Sequence, residues 1–371
     1  SLFVNREMGL RMTETETPLP DSGITLMGLG PGDIGSLTRE AWDWILSIDT
    51  LYIRTMTHPV VAALPNGLEL IGFDDILVRD EDQDNAVSIV VDTILNLGLQ
   101  PGGVTYAVPG HPLVGEATCE AILRRARQRD IPCRVIDGLS FLEPTFNALG
   151  VDPFGSLSLA DGLTLSRLHT PDFSPAKPAL ITQISSKEIA GRVKEALLAT
   201  YPPEHLVRLV HAAGTDQQVV EDLPLARIDQ SAYLGGLSSL FIPALSPTAS
   251  FESFMEVIAR LRAPDGCPWD RAQTHITLRP FLIEEAYEAL DALDKGNMQD
   301  LAEELGDLLL QIGLHAQIGA EEGDFNINQV IEGISNKLIR RHPHVFASVD
   351  VEDVSGVTLP RPVHRGQPFH Q

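Results

Sequence analysis

From Ile24 onward, short apolar runs alternate along the chain with stretches whose apolar positions recur every three to four residues. The first kind suits buried strands and the second suits helices packed on one face. "ITLMGL", "TLYIR", "GVTYAV", "CRVID", "PALITQI", "LVRLVHAA" and "LSSLFIPAL" read as strands. "SLTREAWDWILS", capped by Ser36 or Thr38, reads as a helix, as do "NAVSIVVDTILNLG", "GEATCEAILRRARQR", "SFLEPTFNALG" and "KEIAGRVKEALLATY". Strand–helix alternation at this spacing predicts an α/β architecture with a largely parallel sheet. A break over 137–174 predicts that it forms two lobes.

Beyond the Pro/Ser-rich "PALSPTAS" (243–250) the pattern changes. Helical spacing runs almost unbroken over 251–346 and strand signals vanish. The expected organisation is a disordered lead (1–22), an α/β domain (23–245), a linker (246–250), an all-α domain (251–348) and an irregular Pro/Gly-rich tail (349–371).

Composition narrows the partners. A formal net charge of −24 repels nucleic acid and anionic lipid, so neither is expected as a partner. No run approaches the ~18 apolar residues of a membrane span, and "SLFVNREMGLRMTETETPLPDSG" lacks a signal-peptide core. Cys119, Cys133 and Cys267 are odd in number and far apart. They suit neither a disulfide framework nor a zinc site, and predict free thiols in a cytoplasmic protein.

The negative charge gathers in "LIEEAYEALDALDKGNMQDLAEELGDLLLQI" (282–312). Leu282, Ala286, Leu290 and Leu293 recur at helical spacing, as do Leu301, Leu305, Leu308 and Ile312. Lys295-Gly296-Asn297 breaks the pattern, so two antiparallel helices joined by a short turn are expected. In such a hairpin, residues at one level have equal index sums. That pairs Glu285 with Asp307 and Glu288 with Glu304, and places each pair on one face of its own helix. A solvated acidic face is the alternative reading, but it gives no reason for the matched register. Carboxylate-only ligation favours Mg²⁺ or Mn²⁺; neither Glu288 nor Glu304 has the histidine three residues on that a di-iron bundle would supply.

"GCPWDRAQTH" (266–275), "EEAYE" (284–288), "EELGD" (303–307) and "KLIRRHPHVF" (337–346) together resemble the MazG family of nucleoside triphosphate pyrophosphohydrolases. The resemblance implies Mg²⁺-dependent hydrolysis of a nucleoside triphosphate to the monophosphate and pyrophosphate. Carried over by motif, Glu285, Glu288, Glu304 and Asp307 would ligate metal, and Glu284 would lie beside them as an outer group or water-orienting base. Lys337, Arg340 and Arg341, on a helix spanning "INQVIEGISNKLIRR", would meet phosphate; a cationic helix end favoured by the macrodipole is the alternative. Trp269 would border the base or ribose, against plain packing. The tail "GVTLPRPVHRGQPFHQ" departs from the family, whose usual ending is a further helix with a tryptophan and a lysine. One hairpin cannot bury all its apolar surface, so a homodimer through the helical domain is expected.

In the first domain, "GLGPGD" (28–33) sets glycines directly after a strand, where they permit close backbone approach to a ligand. A bare tight turn is the alternative. With "RTMTHPVV" (54–61), "YAVPGHPLVGEAT" (106–118) and "DGLSFLEPTFNALG" (137–150), the segment resembles the tetrapyrrole methylase superfamily, in the form fused to MazG. The resemblance implies S-adenosylmethionine bound between two lobes by Pro31, Gly110, His111, Val114, Ser140, Phe141 and Gly214. Gly110-His111-Pro112 stands where many methylases carry Gly-Asp-Pro, and histidine supplies no fixed negative charge. Two other functions fit the same features: a methyltransferase whose helical domain dimerises it, and a non-catalytic nucleotide sensor.

Overall fold

The computed structural model describes residues 22–79 and 83–346. The expected tail, and all but the last residue of the expected lead, lie outside them. The chain divides into two compact units after Ser246.

The first lobe of the first unit runs β1 (Ile24–Gly28), α1 (Arg39–Ile45), β2 (Thr50–Ile53), β3 (Glu69–Gly72), α2 (Asp74–Arg79), α3 (Gln83–Gly98), β4 (Val104–Val108), α4 (Ala117–Gln128) and β5 (Cys133–Ile136). Its five strands lie in the order β3-β2-β4-β1-β5, all parallel. Every residue of β1 and β4 is buried, because helices cover both faces of a parallel sheet. Leu26, Tyr106 and Val108 point into the layer under α3 and α4. Their neighbours Met27 and Ala107 point to the other face, under α1. Thr38, one of the two expected caps, accepts from the Ala41 N–H at 3.2 Å and starts α1.

The second lobe contains α5 (Leu142–Leu149), β6 (Ser158–Asp161), α6 (Gly162–Leu165), β7 (Ala179–Thr182), α7 (Lys187–Leu198), β8 (Leu206–His211), β9 (Val219–Pro224) and β10 (Ser238–Ile242). The expected parallel sheet is the one in the first lobe; the second sheet, β6-β7-β10-β8-β9, is mixed. Only β6 and β7 pair in parallel; β7–β10, β10–β8 and β8–β9 are antiparallel. The sequence reading missed β3, β6 and β9, and all three are edge strands. Each is only partly buried, so none carries the apolar run that marks a central strand.

The second unit is helical: α8 (Phe251–Arg262), α9 (Pro268–Arg271), α10 (His275–Lys295), α11 (Met298–Glu322), α12 (Ile327–Arg341) and α13 (Pro343–Phe346). Side chains cap the long helices. Thr274 and Asn326 form capping boxes, and Asn297 accepts from the Gln299 and Asp300 N–H groups. Gly296, at φ +68°, ends α10 in the left-handed conformation. Ile258, Leu278, Leu314 and Ile318 form the core, with Phe254, Met255, Phe281 and Leu310 around them. That core joins α8 to the start of α10 and the later half of α11. At Gly313 a Cβ would lie 2.3 Å from the Ile258 Cδ1, so α8 and α11 touch there only because the side chain is missing. The expected apolar stripe of the hairpin is not spent inside the chain: Leu290 and Leu293 are 54% and 50% exposed, and Leu305 is 53% exposed.

Candidate functional sites

The hairpin of α10 and α11 gathers acids. Carboxylate oxygens of Glu285, Glu288 and Glu304 all lie within 4.8 Å of one another. Glu285 is held above the ordinary carboxylate range by desolvation, then by the charges of Asp307 and Glu288. Glu304 is raised by desolvation and by Glu288 and Asp307, with Glu303 and Asp300 adding to it. After desolvation, both carboxyls are raised by the charges of neighbouring acids. Asp307 therefore lies close enough to act by its charge but outside the trio of converging oxygens. Glu284 is exposed and acts on Glu285 in the same way. Three carboxylates this close together could hold a hard divalent ion.

The other sequence candidates of this unit lie apart from the trio in character. Lys337, Arg340 and Arg341 are exposed on the last two turns of α12. Trp269 packs edge-on against Phe281, centroids 6.1 Å apart, and is still 55% exposed.

Two features escaped the sequence reading. Arg262, with a side chain only 6% exposed, grips both carboxylate oxygens of Glu321 at 2.7–3.2 Å and donates to the Asp270 and Gln273 carbonyls. It locks the ends of α8 and α11 to the α9 segment. His275 and His315 stack at 5.0 Å, with their Nδ1 atoms in hydrogen-bond contact at 2.7 Å. No spacing rule connects residues so distant in sequence.

In the α/β unit, the loops after β1 and β4 meet at the carboxyl ends of the sheet, where ligands bind in open α/β folds. Gly30 and Gly110 exchange backbone hydrogen bonds of 3.2 and 2.8 Å. A Cβ at Gly28 would lie 2.5 Å from the Gly110 carbonyl and 2.7 Å from the Gly138 Cα, so three loops pack backbone to backbone. Beside them opens a cleft of about 430 Å³, lined by Pro31, Gly110, Val114 and Phe141 from the first motif set and by Gln183, Thr215 and Leu237 from the second lobe.

His111, Ser140 and Gly214 are not among the lining residues but brace the loops that are. His111 Nδ1 accepts from the Leu113 N–H at 3.0 Å. This is the turn-closing role an aspartate oxygen would have, so the histidine replaces its structure. Charge returns through Asp137, whose Oδ1 is 3.4 Å from His111 Nε2. Ser140 is buried, donates to Glu143 at 2.6 Å and accepts from the Leu142 N–H. Gly214, at φ +78°, backs the first loop: a Cβ on Gly32 would lie 2.8 Å from the Gly214 carbonyl.

His58 was quoted within a motif but not singled out. It is buried, its Nδ1 accepts from the Val60 N–H and its Nε2 donates to the Gly30 carbonyl at 2.9 Å. Burial pulls its pKa below the ordinary imidazole value, against the Gly30 bond. Also at the cleft, Gln183 holds φ +59°. A non-glycine residue in that region marks local strain of the kind found at ligand sites.

A cleft at the carboxyl ends of a parallel sheet marks one unit, and a cluster of converging acids on a helical hairpin marks the other. The family model for tetrapyrrole (corrin/porphyrin) methylases matches residues 23–229, and that for the MazG nucleotide pyrophosphohydrolase domain matches 273–346. YabN of Bacillus subtilis (strain 168) is 39% identical over 338 residues, 90% of this chain and 68% of the relative. A nucleoside triphosphate pyrophosphohydrolase/pyrophosphatase MazG of Thermotoga maritima is 54% identical over 96 residues, 26% of this chain and 38% of the relative. Among solved structures, a uroporphyrin-III-C-methyltransferase from Thermus thermophilus aligns with a TM-score of 0.48 at 21% identity, over 61% of this chain and 93% of that one. The chain belongs to the tetrapyrrole methylase family, in the form that carries a MazG domain behind the methylase domain.

Proposed function

We propose that the helical unit hydrolyses nucleoside triphosphates to the monophosphate and pyrophosphate with a divalent cation, and that the α/β unit binds S-adenosylmethionine in its cleft. The convergence of Glu285, Glu288 and Glu304 within 4.8 Å carries the first half. These three would hold Mg²⁺ or Mn²⁺, with Asp307 completing the negative field. A cation there neutralises phosphate charge and acidifies bound water. Glu284, one position outside the trio, orients water, and Lys337, Arg340 and Arg341 take the remaining phosphate charge. Trp269 offers an open ring face to the base. The 54% identity to a relative named as a nucleoside triphosphate pyrophosphohydrolase supports this reading.

The second half rests on the loops around Gly30 and Gly110, with Pro31, Val114 and Phe141 facing the cofactor and His111, Ser140 and Gly214 holding them in place. The exposed Leu290, Leu293 and Leu305 are covered by a second copy of the chain, since a face this apolar is costly in water. That same face supports a second reading, in which the helical unit only dimerises a methyltransferase.

The separating experiment is incubation of the chain with each common nucleoside triphosphate and Mg²⁺, with products resolved by ion-exchange chromatography. Monophosphate and pyrophosphate in equal amounts are expected. No turnover of any nucleotide, or release of orthophosphate in place of pyrophosphate, sinks the hydrolase assignment and leaves the dimerising one.

A further inference from the structure

His211 closes β8 and is buried, with a partner on each ring nitrogen. Nε2 lies 3.0 Å from Glu221 Oε2 on the edge strand β9, and Nδ1 lies 2.8 Å from Ser238 Oγ on β10. Glu221 Oε2 also accepts from the Ser231 hydroxyl. Ser238 Oγ in turn accepts from the Gly235 N–H at 3.0 Å. With the ring neutral, every donor meets an acceptor: Nε2–H donates to Glu221, and the bare Nδ1 accepts from the Ser238 hydroxyl. The bonds therefore run from the sheet edge through His211 to the turn that precedes β10.

Ser238 is where three loops meet. Its hydroxyl holds Gly235, and its carbonyl accepts from the Ile184 N–H at 3.0 Å. The neighbouring Leu237 carbonyl accepts from the Ala212 N–H at 3.0 Å. Those loops carry Gln183, Ser185, Thr215, Gly236 and Leu237, the residues that the second lobe gives to the cleft. Two of them hold a non-glycine residue in the left-handed region, Gln183 at φ +59° and Ala212 at φ +46°. Such backbone persists only where its surroundings over-determine it. Buried polar groups are costly unless every bond is made, so a fully bonded set that ends on a turn fixes where that turn lies.

We propose that His211 is a positioning residue for the cleft. Held by Glu221, it fixes Ser238 and through it the three loops, and so sets cofactor affinity without touching the cofactor. The inference rests on reading the cleft as the S-adenosylmethionine site. Neither His211 nor Glu221 lines the cleft, so their influence passes through Ser238.

The test compares His211→Gln and His211→Asn in the full chain. The glutamine amide stands in for Nε2 and still donates to Glu221, but leaves the Ser238 hydroxyl without its acceptor. The asparagine amide oxygen stands in for Nδ1 and keeps Ser238, but leaves Glu221 one donor short. Two measurements are made: calorimetric titration with S-adenosylhomocysteine, and amide hydrogen exchange of the free protein over 183–185, 212–215 and 235–239. His211→Gln should bind at least about tenfold more weakly. Its three loops should exchange at least about tenfold faster, while β1 and β4 exchange as in wild type. His211→Asn should bind within about threefold of wild type, whatever its Tm. A His211→Gln protein with wild-type affinity and wild-type loop exchange overturns the proposal. So does affinity that follows Tm across the two variants, the mark of a purely structural histidine. Ser238→Ala cuts the same tether with less change of volume and should loosen the same loops; unchanged exchange there also overturns it. No binding of S-adenosylhomocysteine by wild type strikes the cofactor reading, and the exchange measurement then decides the positioning role by itself.

Discussion

Replacing Glu288 by glutamine is the sharpest probe of the hydrolytic site. Glu288 is the exposed member of the trio, and its oxygens lie within 4.8 Å of those of Glu285 and Glu304. Two like charges at that distance in water repel by about 0.9 kcal/mol, less in salt. The substitution removes one charge and leaves the helix, the size and the exposure unchanged. Without metal, Glu288→Gln should therefore melt no lower than wild type, and slightly higher at low ionic strength. With metal the order reverses. A ligand at about 100 times its Kd stabilises the native state by about 2.7 kcal/mol. For a domain the size of the helical unit that corresponds to roughly 10–20 °C in Tm, and the variant should lose most of it. Hydrolysis should drop about 100- to 1,000-fold, or roughly 3–4 kcal/mol of transition-state stabilisation. The checks are calorimetric melts with EDTA and with Mg²⁺, beside the pyrophosphate assay. A variant that keeps wild-type turnover and the full Mg²⁺ shift would falsify the assignment of this cluster as the metal site.

His58 makes stability depend on acid. Its folded pKa is lowered by burial, so the unfolded chain takes up the proton first. The stabilisation is complete above the ordinary imidazole pKa and is lost as pH falls through that value toward the folded one. His58→Gln keeps a donor for the Gly30 carbonyl, and its Tm should fall less than that of wild type between pH 7 and 5; parallel melting curves would refute the idea. Arg262→Met should cost the helical unit about 2–3 kcal/mol, because the Glu321 carboxylate and two backbone carbonyls lose a buried donor; urea unfolding would show it, and an unchanged midpoint would count against the clamp. Gly28→Ala forces a methyl to within 2.5 Å of the Gly110 carbonyl. S-adenosylhomocysteine affinity should fall at least tenfold by calorimetry, and wild-type affinity would show that the loop contact is not needed. Leu293→Glu with Leu305→Glu should yield monomers in sedimentation without unfolding the chain, since both residues are exposed within one copy; a surviving dimer would place the interface elsewhere.

The acid hairpin was legible because helix periodicity converts sequence spacing into position with little ambiguity. Gly296 and Asn297 stop one helix and start the next, so the register of Glu288 against Glu304 follows from counting. Asp307 was counted to the same level as Glu285, but only coordinates show that its oxygens stay outside the trio. The basic helix spanning "INQVIEGISNKLIRR" was read at its observed limits, yet nothing in its spacing says what its cations face. In the α/β unit the central strands were visible as apolar runs. The edges β3, β6 and β9 were not, because a strand paired on one side and half-open to water needs no such run.

The order of residues settled which segments are helices or central strands, where glycines must stand, and which acids share a helix face. Those are consequences of near-neighbour sterics and of a periodicity measured over a few residues. Contacts between residues far apart in the chain were decided only in the folded molecule. His58 meets Gly30, Arg262 meets Glu321, His275 meets His315, and Arg54 meets Glu116. Each depends on how sheets and helices stack, a geometry fixed by simultaneous packing of many side chains, and so no local pattern announces it.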